Sequence, residues 1–396
     1  MTKKLYEDNA MLTTCTATVL DCIPAVEGFE LVLDQTVFFP EGGGQLSDRG
    51  MLGAVPVSHV REREGVVYHL CSGELAVGST VEATIDWQVR LDHMQQHTGE
   101  HILSHTLWKL FGAANIGFHM SSGEQVTIDM DMELTREQLA EAEDYANRQI
   151  WENHPVTCYI VDEDAAAKLE LRKKTDKVQG DLRIVEIEDG DICTCCGTHL
   201  PYTGMVGAIH IIKQERYKGG VRILFLCGRW ALADFRRKNS LILEAGAILS
   251  AKPEAVPDGI RKLREDSSLM GARLRTKTAA LWDCRVQELT AAAGDSGCIC
   301  TTVEDCTPAE AKLLLQKLTE NPKMTAVVVY ACDDRVNYLI GKGEKGKGDC
   351  GFLCQIANGL FNGKGGGKGS FAQGGGSLTK DWKDRAQQLL AAMQRG

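Results

Sequence analysis

The sequence predicts a multidomain protein of the α+β class, and three observations support this prediction. The chain has 396 residues, which is enough for two or three domains. Short strand-like runs separated by turn residues fill the first 88 positions, a pattern typical of a small β-barrel. After residue 89, helix-like and strand-like segments alternate. We therefore expect four parts: an N-terminal small β-barrel (1–88), an α+β domain (89–235), a helical connector (236–292) and a C-terminal α/β domain (293–396).

The barrel is predicted from four runs of strand length: Thr16–Leu20, Gly28–Leu33, Gly65–Leu70 and Thr80–Ile85. A glycine-rich segment, Phe38–Gly50, lies between the second and third runs and contains three consecutive glycines. Such glycines expose backbone N–H groups and permit close approach of a ligand. Composition alone favours a simpler interpretation, a hairpin turn.

A long helix is predicted between Trp87 and Phe111, where proline is absent and apolar residues recur at helical spacing. It carries four histidines, each four residues from the next. On a helical wheel His105 falls on the apolar face, which indicates a core histidine, whereas His93 points away and is expected to be solvated. The remaining pair stands on one face, one turn apart, at a spacing that can hold a divalent ion: His97 and His101.

A second pair with the same spacing occurs about a hundred residues later, in a cysteine- and glycine-rich segment between Ile192 and Pro201. A thiolate and imidazoles are the ligands that zinc prefers, in tetrahedral geometry. The sequence therefore predicts one Zn²⁺ site. A ligand role for the neighbouring thiols of Cys193 or Cys196 stays open. The predicted ligands are His97, His101, Cys195 and His199.

The segment His97–His101 also reads H-x-x-E-H, the pattern of one class of zinc peptidases. In that alternative, Glu100 would be the general base and a distant carboxylate the third ligand. Spacing alone does not exclude it. Helix geometry directs Glu100 about 100° away from His101, so we expect no direct catalytic role for its carboxylate.

Three segments, HTGEHIL, GDLRIVEIEDGDICTCCGTHLPYTG and GGVRI, resemble the editing domain of alanyl-tRNA synthetase and the free-standing AlaX-type alanyl-tRNA editing proteins. The pattern of that family is HxxxH followed by C-G-G-T-H, and here Cys196 replaces the first glycine. The resemblance implies a zinc-binding editing domain in which a sheet packs against helices, with the metal at one end.

The glycine-rich segment is similar to a motif that lies against the editing pocket in AlaX-type proteins. This resemblance implies a role in placing the aminoacylated 3′ end of a tRNA. A pocket specific for serine would need a hydrogen-bond partner for the hydroxyl group, and Thr36 is the candidate. The candidate substrate contacts are Thr36, Glu41, Gly42, Gly43 and Gln45.

The connector is predicted to be two helices broken near Lys252–Pro253 and Pro257. Two adjacent strands, joined by Asp333–Asp334, should follow. The next segment, 362–376, holds two lysines among glycines, and we expect a phosphate-binding loop formed by backbone amides with Lys364 and Lys368 between a β-type segment and a helix. This run resembles the DHHA1 domain. Residues 341–396 contain nine Lys and Arg against four Asp and Glu, which suits a tRNA-binding domain.

The resemblance covers nearly the whole chain and matches the long form of the AlaX-type proteins. Nothing in the sequence suggests the class II synthetase core that activates alanine. The implied activity is that of a trans-editing aminoacyl-tRNA hydrolase, which cleaves the ester of Ser- or Gly-tRNA(Ala) in a zinc-containing site. The zinc would either polarise a water or anchor the substrate. The alternatives are an H-x-x-E-H zinc peptidase and a non-catalytic tRNA-binding protein.

Composition bounds the compartment and the partners. A net charge of −10 argues against indiscriminate nucleic-acid binding, although a local basic surface is compatible with it. No apolar stretch approaches the roughly 18 residues that span a bilayer, and the N-terminal segment lacks the apolar region of a signal peptide. Fifteen cysteines, an odd number, suggest free thiols in a reducing cytoplasm. We expect a cytoplasmic protein whose partner is mischarged tRNA(Ala), with no membrane contact; a homodimer is left open.

Overall fold

The computed structural model describes residues 1–172, 180–332 and 334–395. By compactness the chain divides into two units, Met1–Glu244 and Ala245–Gly396. The helices are α1 Leu5–Asp8, α2 Trp87–Phe111, α3 Arg136–Trp151, α4 Glu163–Ala166, α5 Gly228–Leu249, α6 Val256–Ala293, α7 Pro308–Thr319, α8 Cys350–Leu360 and α9 Trp382–Arg395. None of these helices combines the length and the apolar character that crossing a membrane requires.

The strands of the first unit are β1 Lys3–Lys4, β2 Thr14–Ala25, β3 Gly28–Leu33, β4 Gln35–Thr36, β5 Gly50–Leu52, β6 Val55–Arg63, β7 Val66–Cys71, β8 Thr80–Ile85, β9 Asn115–Ser121, β10 Gln125–Met130, β11 Val156–Val161, β12 Leu182–Ile187, β13 Ile192–Thr194, β14 Ile209–Tyr217 and β15 Gly220–Cys227. Those of the second are β16 Cys298–Val303, β17 Thr325–Cys332, β18 Arg335–Lys342, β19 Lys364–Lys368 and β20 Phe371–Ser377.

The first unit begins with a closed barrel in which β2, β3, β7, β6, β5 and β8 follow one another in that order. The four runs expected from the sequence correspond to β2, β3, β7 and β8, whereas β5 and β6 were not anticipated. Inward-facing side chains such as Leu31, Val60 and Val67 are fully buried. Gly28 adopts φ +98°, and a Cβ there would collide with the carbonyl of Cys71, so this hairpin corner depends on glycine.

Helix α2 has the bounds that the sequence predicts, and both of its ends are capped. The Asp86 carboxylate accepts hydrogen bonds from the amides of Gln88 and Val89. At the other end Gly112 is left-handed, with φ 69°, and its amide bonds to carbonyls of the last turn. A Cβ on Gly99 would collide with the Cys227 sulfur. The missing side chain therefore permits close approach of the helix to β15.

Two antiparallel sheets accompany α2, with strand orders β14-β15-β10-β9 and β11-β12-β13. Helix α3 begins with the predicted capping box, in which Thr135 and Gln138 each bond to the other's backbone amide. The third strand of the smaller sheet, β13, leads directly into the cysteine- and histidine-containing loop. That connection positions the loop, because β13 is paired to β12 in register.

The second unit contains the sheet β16-β17-β18-β20-β19, with α8 and α9 on one face and α7 on the other. The expected helix break lies between Leu249 and Val256. Pro257, which the prediction placed near the break, lies in the first turn of α6, where a proline removes no helical hydrogen bond. Of the turn predicted between β17 and β18, residue 333 lies outside the described residues.

The glycine-rich run of the second unit was expected to form a loop after a β-type segment, and that prediction is wrong. Helix α8 precedes it, and the run itself forms the paired strands β19 and β20. Cβ atoms on Gly365 and Gly367 would collide with the backbone of β20, so glycine permits this close pairing. Lys364 and Lys368 are both exposed on β19, at the edge of the sheet.

Candidate metal centre

Four side chains converge at one point in the first unit. Their ligand atoms all lie within 4.8 Å of one another. Two come from consecutive turns of α2, and two come from the loop that follows β13. The three imidazoles belong to residues that are between 2% and 4% exposed, so bulk water is largely excluded. The four residues are those predicted from the sequence: His97, His101, Cys195 and His199.

Each of the three histidines is held through its Nδ1 atom by another polar group. With a proton on Nδ1, the lone pair on Nε2 is free to bind a metal, and the acceptor oxygens of Gln45 and Asp191 favour that tautomer in His97 and His101. Three ring nitrogens and one sulfur are therefore presented to a common centre. The Nδ1 contacts are His97 with Gln45 Oε1 at 2.8 Å, His101 with Asp191 Oδ2 at 2.8 Å, and His199 with Thr98 Oγ1 at 3.4 Å.

The Cys195 sulfur lies 3.4 Å from Nε2 of His97 and 3.4 Å from Nε2 of His199. Burial alone would raise the pKa of this thiol, but the adjacent imidazoles and their hydrogen bonds bring the pKa well below its ordinary value. The Gly197 amide donates to the same sulfur at 3.3 Å. The thiolate is the form that binds metals.

The imidazoles differ in their surroundings. Burial lowers the pKa of His199 to about 3, so this ring stays neutral. For His101, burial also acts to lower the pKa, but hydrogen bonds to Asp191 and Cys195 outweigh it and raise the pKa well above its ordinary value. One thiolate with imidazole nitrogens is a soft-to-borderline donor set, so the residues present fit a tetrahedral divalent metal of that preference.

Asp191 is a residue that the sequence analysis missed. It is 1% exposed, and its carboxylate contacts both His101 and Arg172. The Arg172 guanidinium donates to it from Nε at 2.6 Å and from its second nitrogen at 2.9 Å. Burial would raise the pKa of Asp191, but the hydrogen bonds and positive charges of His101 and Arg172 hold it below its usual range. No spacing rule in the sequence pairs Asp191 with the histidine helix, so the fold alone reveals this contact.

The neighbouring thiols occupy different positions. The Cys193 side chain is buried, and its sulfur lies within 4.8 Å of ligand atoms of His101 and Asp191, in a second group that shares His101 with the first. Cys196 is exposed and belongs to neither group. Gly197 contacts the imidazole of His97, and a Cβ at this position would collide with the ring. The loop therefore needs glycine at 197 but not at 196.

The expectation that Glu100 points away from the metal pair is wrong. Its Oε2 atom lies 3.7 Å from His101 Nε2. The long side chain bends back because Oε1 accepts hydrogen bonds from Ser104 Oγ and Asn115 Nδ2, each at 2.6 Å. This buried carboxylate lines a cavity of about 120 Å³ together with His97, His101 and Cys195.

The other histidines of α2 are placed differently from one another. His93 was expected to be solvated, and that prediction is wrong: it is 5% exposed and packs edge-on against Trp230, with ring centroids 6.3 Å apart. The start of α5 covers this face of the helix. The His105 side chain is 13% exposed, and its Nδ1 lies 3.8 Å from the Asp191 carboxylate.

The glycine-rich segment of the barrel contributes Gln45 and Gly43 to the centre. Besides contacting His97, the Gln45 side chain bonds to the amide and the hydroxyl of Thr198, at 3.1 Å and 2.8 Å. Gln45 is 1% exposed and thus connects the barrel, the helix and the loop. Gly43 lines the cavity. Gly42 pairs with Gln45 in an isolated β-bridge.

Of the five candidate substrate contacts, only Gly43 lines this cavity, and the other four lie outside its lining. Thr36 is fully buried beside the barrel interior, where its hydroxyl lies 2.9 Å from His69 Nε2 and accepts from the Phe38 amide at 3.1 Å. The Glu41 side chain is 52% exposed and lies 3.7 Å from His59. Lys364 and Lys368 lie on β19, in the second unit.

Two family models match parts of the chain. The model of the threonyl and alanyl tRNA synthetase second additional domain matches residues 182–223, which hold β12 to β15 and the loop ligands. The model of class II (A) tRNA synthetases matches residues 5–89, the barrel region. The second match bears on the barrel region alone and leaves the expectation that the core which activates alanine is absent as a prediction.

Similar proteins of known name were also found. An alanine–tRNA ligase of Pyrococcus abyssi is 35% identical over 275 residues, 65% of this chain and 29% of the ligase. The chain thus spans less than a third of that relative's length. A crystal structure of the C-Ala domain from Aquifex aeolicus alanyl-tRNA synthetase matches at 24% identity and a TM-score of 0.23, covering 25% of this chain and 91% of that one, which is too slight for any conclusion about the fold.

The alanyl-tRNA editing protein AlaX-L of Pyrococcus horikoshii is 32% identical over 274 residues, 67% of this chain and 67% of the relative. The alanyl-tRNA editing protein Aarsd1 of Bos taurus is 31% identical over 272 residues, 64% of this chain and 61% of that protein. On this similarity, together with the two model matches, the chain belongs to the family of AlaX-type alanyl-tRNA editing proteins.

Proposed function

We propose that this chain hydrolyses the ester bond that joins a wrong amino acid, serine or glycine, to tRNA(Ala). The observation that carries the proposal is the convergence of His97, His101, Cys195 and His199, whose ligand atoms lie within 4.8 Å of one another, beside a small cavity that the first three line. Membership of the alanyl-tRNA editing family supports the same substrate class. The activity is that of an aminoacyl-tRNA hydrolase.

The metal that this donor set suits best is zinc, and the four converging residues would hold it. When bound, Zn²⁺ would supply a concentrated positive charge that polarises a water or holds the substrate. The chain's own polar groups keep the ligand rings in the orientation that binding requires. Gln45, Thr98 and Asp191 each occupy one Nδ1 atom, which leaves the Nε2 atoms directed at the centre.

Two further features favour hydrolysis of an aminoacyl ester. The Glu100 carboxylate is directed into the cavity and held there by Ser104 and Asn115, so it is placed to accept a hydrogen bond from an ammonium group or a water. The cavity of about 120 Å³ is suited to a small amino acid. A second site of this kind removes errors that a synthetase cannot reject by size alone.

The rival peptidase interpretation of His97–His101 is not favoured. That pattern needs a distant carboxylate as its third ligand. Here a thiolate and an imidazole, Cys195 and His199, complete the group instead. The Asp191 carboxylate contacts the far side of His101, at Nδ1.

We assign the editing reaction to the predicted parts 1–88 and 89–235, and tRNA binding to 293–396, with 236–292 as connector. Lys364 and Lys368 project from an exposed edge strand, which suits contact with phosphates. Of the candidate substrate contacts, Gly43 and Gln45 line or support the cavity. Roles for Thr36, Glu41 and Gly42 in substrate binding stay predictions.

The test is release of labelled serine from Ser-tRNA(Ala), measured beside zinc content for wild type and Cys195→Ala. We expect the variant to lose bound zinc and to deacylate at a rate lower by at least about 100-fold. Removing a metal ligand should have a larger effect than removing a residue that only orients a ligand. Cys284→Ala, at an exposed thiol of the second unit, is the matched control. Wild-type protein that holds zinc but leaves the ester intact would contradict the proposal.

A further inference from the structure

A second cavity, of about 400 Å³, lies in the first unit. It is bounded by the glycine-rich segment and neighbouring parts of the barrel, the first turns of α2, the turn after β9 and the start of α5. Its volume falls in the range of roughly 300–1,000 Å³ typical of small-molecule sites. None of its lining residues belongs to the metal-binding group. The lining residues that matter here are Arg49, His93, Ser121, Ser122, Arg229 and Trp230.

The same elements line this cavity and the candidate metal centre. Helix α2 contributes His93 to the cavity and His97, one turn later, to the metal-binding group. One helical turn advances about 5.4 Å. The glycine-rich segment likewise contributes Glu41 to this cavity and Gly43 to the smaller one.

Strand β9 and the turn that follows it also line both cavities, in the opposite chain direction. Phe118 lines the smaller cavity beside the candidate metal ligands, and Ser121 lines the larger one. Three separate elements therefore line both cavities. The two cavities are successive positions along one side of α2, and a chain-like ligand whose end reaches the metal centre could extend from one into the other.

The larger cavity holds polar groups that the fold leaves without partners. In the part of the chain that the structure describes, the Arg49 guanidinium is exposed and makes no ion pair or side-chain hydrogen bond. The hydroxyls of Ser121 and Ser122 have no hydrogen-bond partner within the same described ranges. The Trp230 indole N–H and His93 Nδ1 are buried and also unpartnered. A cation, two hydroxyls and an aromatic wall are thus available to a ligand.

The charge balance of the cavity narrows the class of ligand. Arg229 is already paired with the Asp92 carboxylate, and the carboxylates of Glu41 and Glu124 also line the cavity. A free phosphate dianion would meet these carboxylates and only one unpaired cation. A nucleotide within an RNA strand carries a single phosphodiester charge and a base that both donates and accepts hydrogen bonds. Single-stranded RNA ends are recognised in this way, by stacking on aromatic rings and hydrogen bonds to the base.

We propose that the larger cavity binds the nucleotide that precedes the aminoacylated terminal nucleotide of the tRNA. Arg49 contacts the phosphodiester, the serine hydroxyls bond to the base or ribose, and the ring packs beside Trp230 and His93. This inference rests on the proposed function, in which the smaller cavity receives the terminal aminoacyl group. It adds a second position that reads the RNA chain rather than the amino acid.

The test compares two esters of the same amino acid, Ser-tRNA(Ala) and seryl-adenosine, which lacks the preceding nucleotide. We expect Arg49→Ala to raise KM for Ser-tRNA(Ala) about tenfold and to make the salt dependence of binding shallower by roughly 0.7 in logarithmic slope, the contribution of one single-strand phosphate contact. Hydrolysis of seryl-adenosine should stay within about twofold of wild type, because that substrate does not reach Arg49. Arg49→Lys should retain much of the affinity because it keeps the charge.

Arg148→Ala is the matched control, since Arg148 is exposed on α3 and lines neither cavity. Ser122→Ala is a second variant that leaves the charge intact, and it should raise KM for the tRNA ester by a smaller factor. An equal loss on both esters, or no change on either, would overturn the inference.

If wild type hydrolyses neither ester, the proposed function fails. A binding measurement then tests separately whether the larger cavity binds RNA. The probe is then an uncharged RNA microhelix with a single-stranded CCA end. Weaker binding by Arg49→Ala than by Arg148→Ala would support RNA binding in the larger cavity even without hydrolysis. Equal binding by both variants would contradict RNA binding there.

Discussion

All ten histidines of the chain lie in Met1–Glu244, whereas Ala245–Gly396 contains none. The metal-binding histidines of the first unit are between 2% and 4% exposed, and each has a hydrogen-bond partner on its second nitrogen. In the second unit, every residue of β19 is exposed, including both lysines. The first unit therefore depends on buried, oriented groups, and the second offers exposed charge on β19. The two should respond differently to mutation, pH and salt.

The sharpest way to test this comparison is to remove a buried partner in the first unit. Asp191→Ala leaves Arg172 buried without its counter-ion and frees the ring of His101. We expect a loss of roughly 3 kcal/mol in unfolding free energy and a 10- to 100-fold loss in zinc affinity. Urea unfolding and zinc titration would measure the two effects.

Asp144→Ala is the matched control, since Asp144 is exposed on α3 and has no side-chain partner in the described ranges. Its unfolding free energy should change by less than about 0.5 kcal/mol. Unchanged zinc affinity in Asp191→Ala would contradict the positioning role assigned to this carboxylate.

The second test uses pH, to which only the first unit should respond through histidine. Burial lowers the pKa of His69 to about 4, although the hydrogen bond to the Leu31 carbonyl acts in the opposite direction. As pH falls below about 6.5, the unfolded state takes up this proton and the folded state does not. Unfolding free energy should therefore fall by about 1.4 kcal/mol per pH unit down to about pH 4, a total of roughly 3 kcal/mol.

Unfolding of wild type and His69→Gln across this range would measure the effect. The variant should lose this part of the pH dependence, whatever its stability at pH 7. His119→Gln, at an exposed histidine of the same unit, is the control and should keep it. A pH dependence that is the same in all three proteins would contradict the assignment.

The smallest expected effect is that of the exposed lysines. Replacing Lys364 and Lys368 by alanine should weaken tRNA binding about tenfold and reduce its salt slope by roughly 1.4 to 1.8, with the fold unchanged. Hydrolysis at saturating substrate should be unaffected, because these side chains belong to an edge strand outside the metal centre. Binding at several salt concentrations would measure the change.

A matched double variant, Lys323→Ala with Lys380→Ala, removes two exposed lysines from other parts of the same unit. If it weakens binding as much as the β19 variant does, the effect reflects net charge alone. The hairpin would then have no special place in tRNA binding.

Much of the site could be predicted from the sequence because its information is local. The bounds of α2 follow from apolar spacing and from caps that lie next to the helix, Asp86 and Gly112. The spacing of four residues places His97 and His101 on one face whatever surrounds the helix. Cys195 and His199 were identified by the chemistry of their side chains and by resemblance, and the structure brings all four together.

Other predictions failed where a distant segment decides the outcome. His93 was expected in solvent, but α5 covers it with Trp230. Glu100 was expected to point away, but hydrogen bonds to Ser104 and Asn115 return its carboxylate to the cavity. The glycine-rich run of the second unit was expected to form a loop, and its pairing as β19 and β20 depends on backbone contacts that composition does not reveal.

By itself, then, the sequence determined the histidine helix, the four candidate metal ligands and the position of the family motifs. Only the tertiary structure decided what holds those ligands in place. Gln45 bonds to His97, which is 52 positions away in the sequence, and to Thr198, which is 153 positions away. Asp191 contacts His101 across 90 positions. Local spacing determines which side chains share a face, but contacts between distant residues depend on how the barrel, the helix and the loop pack together.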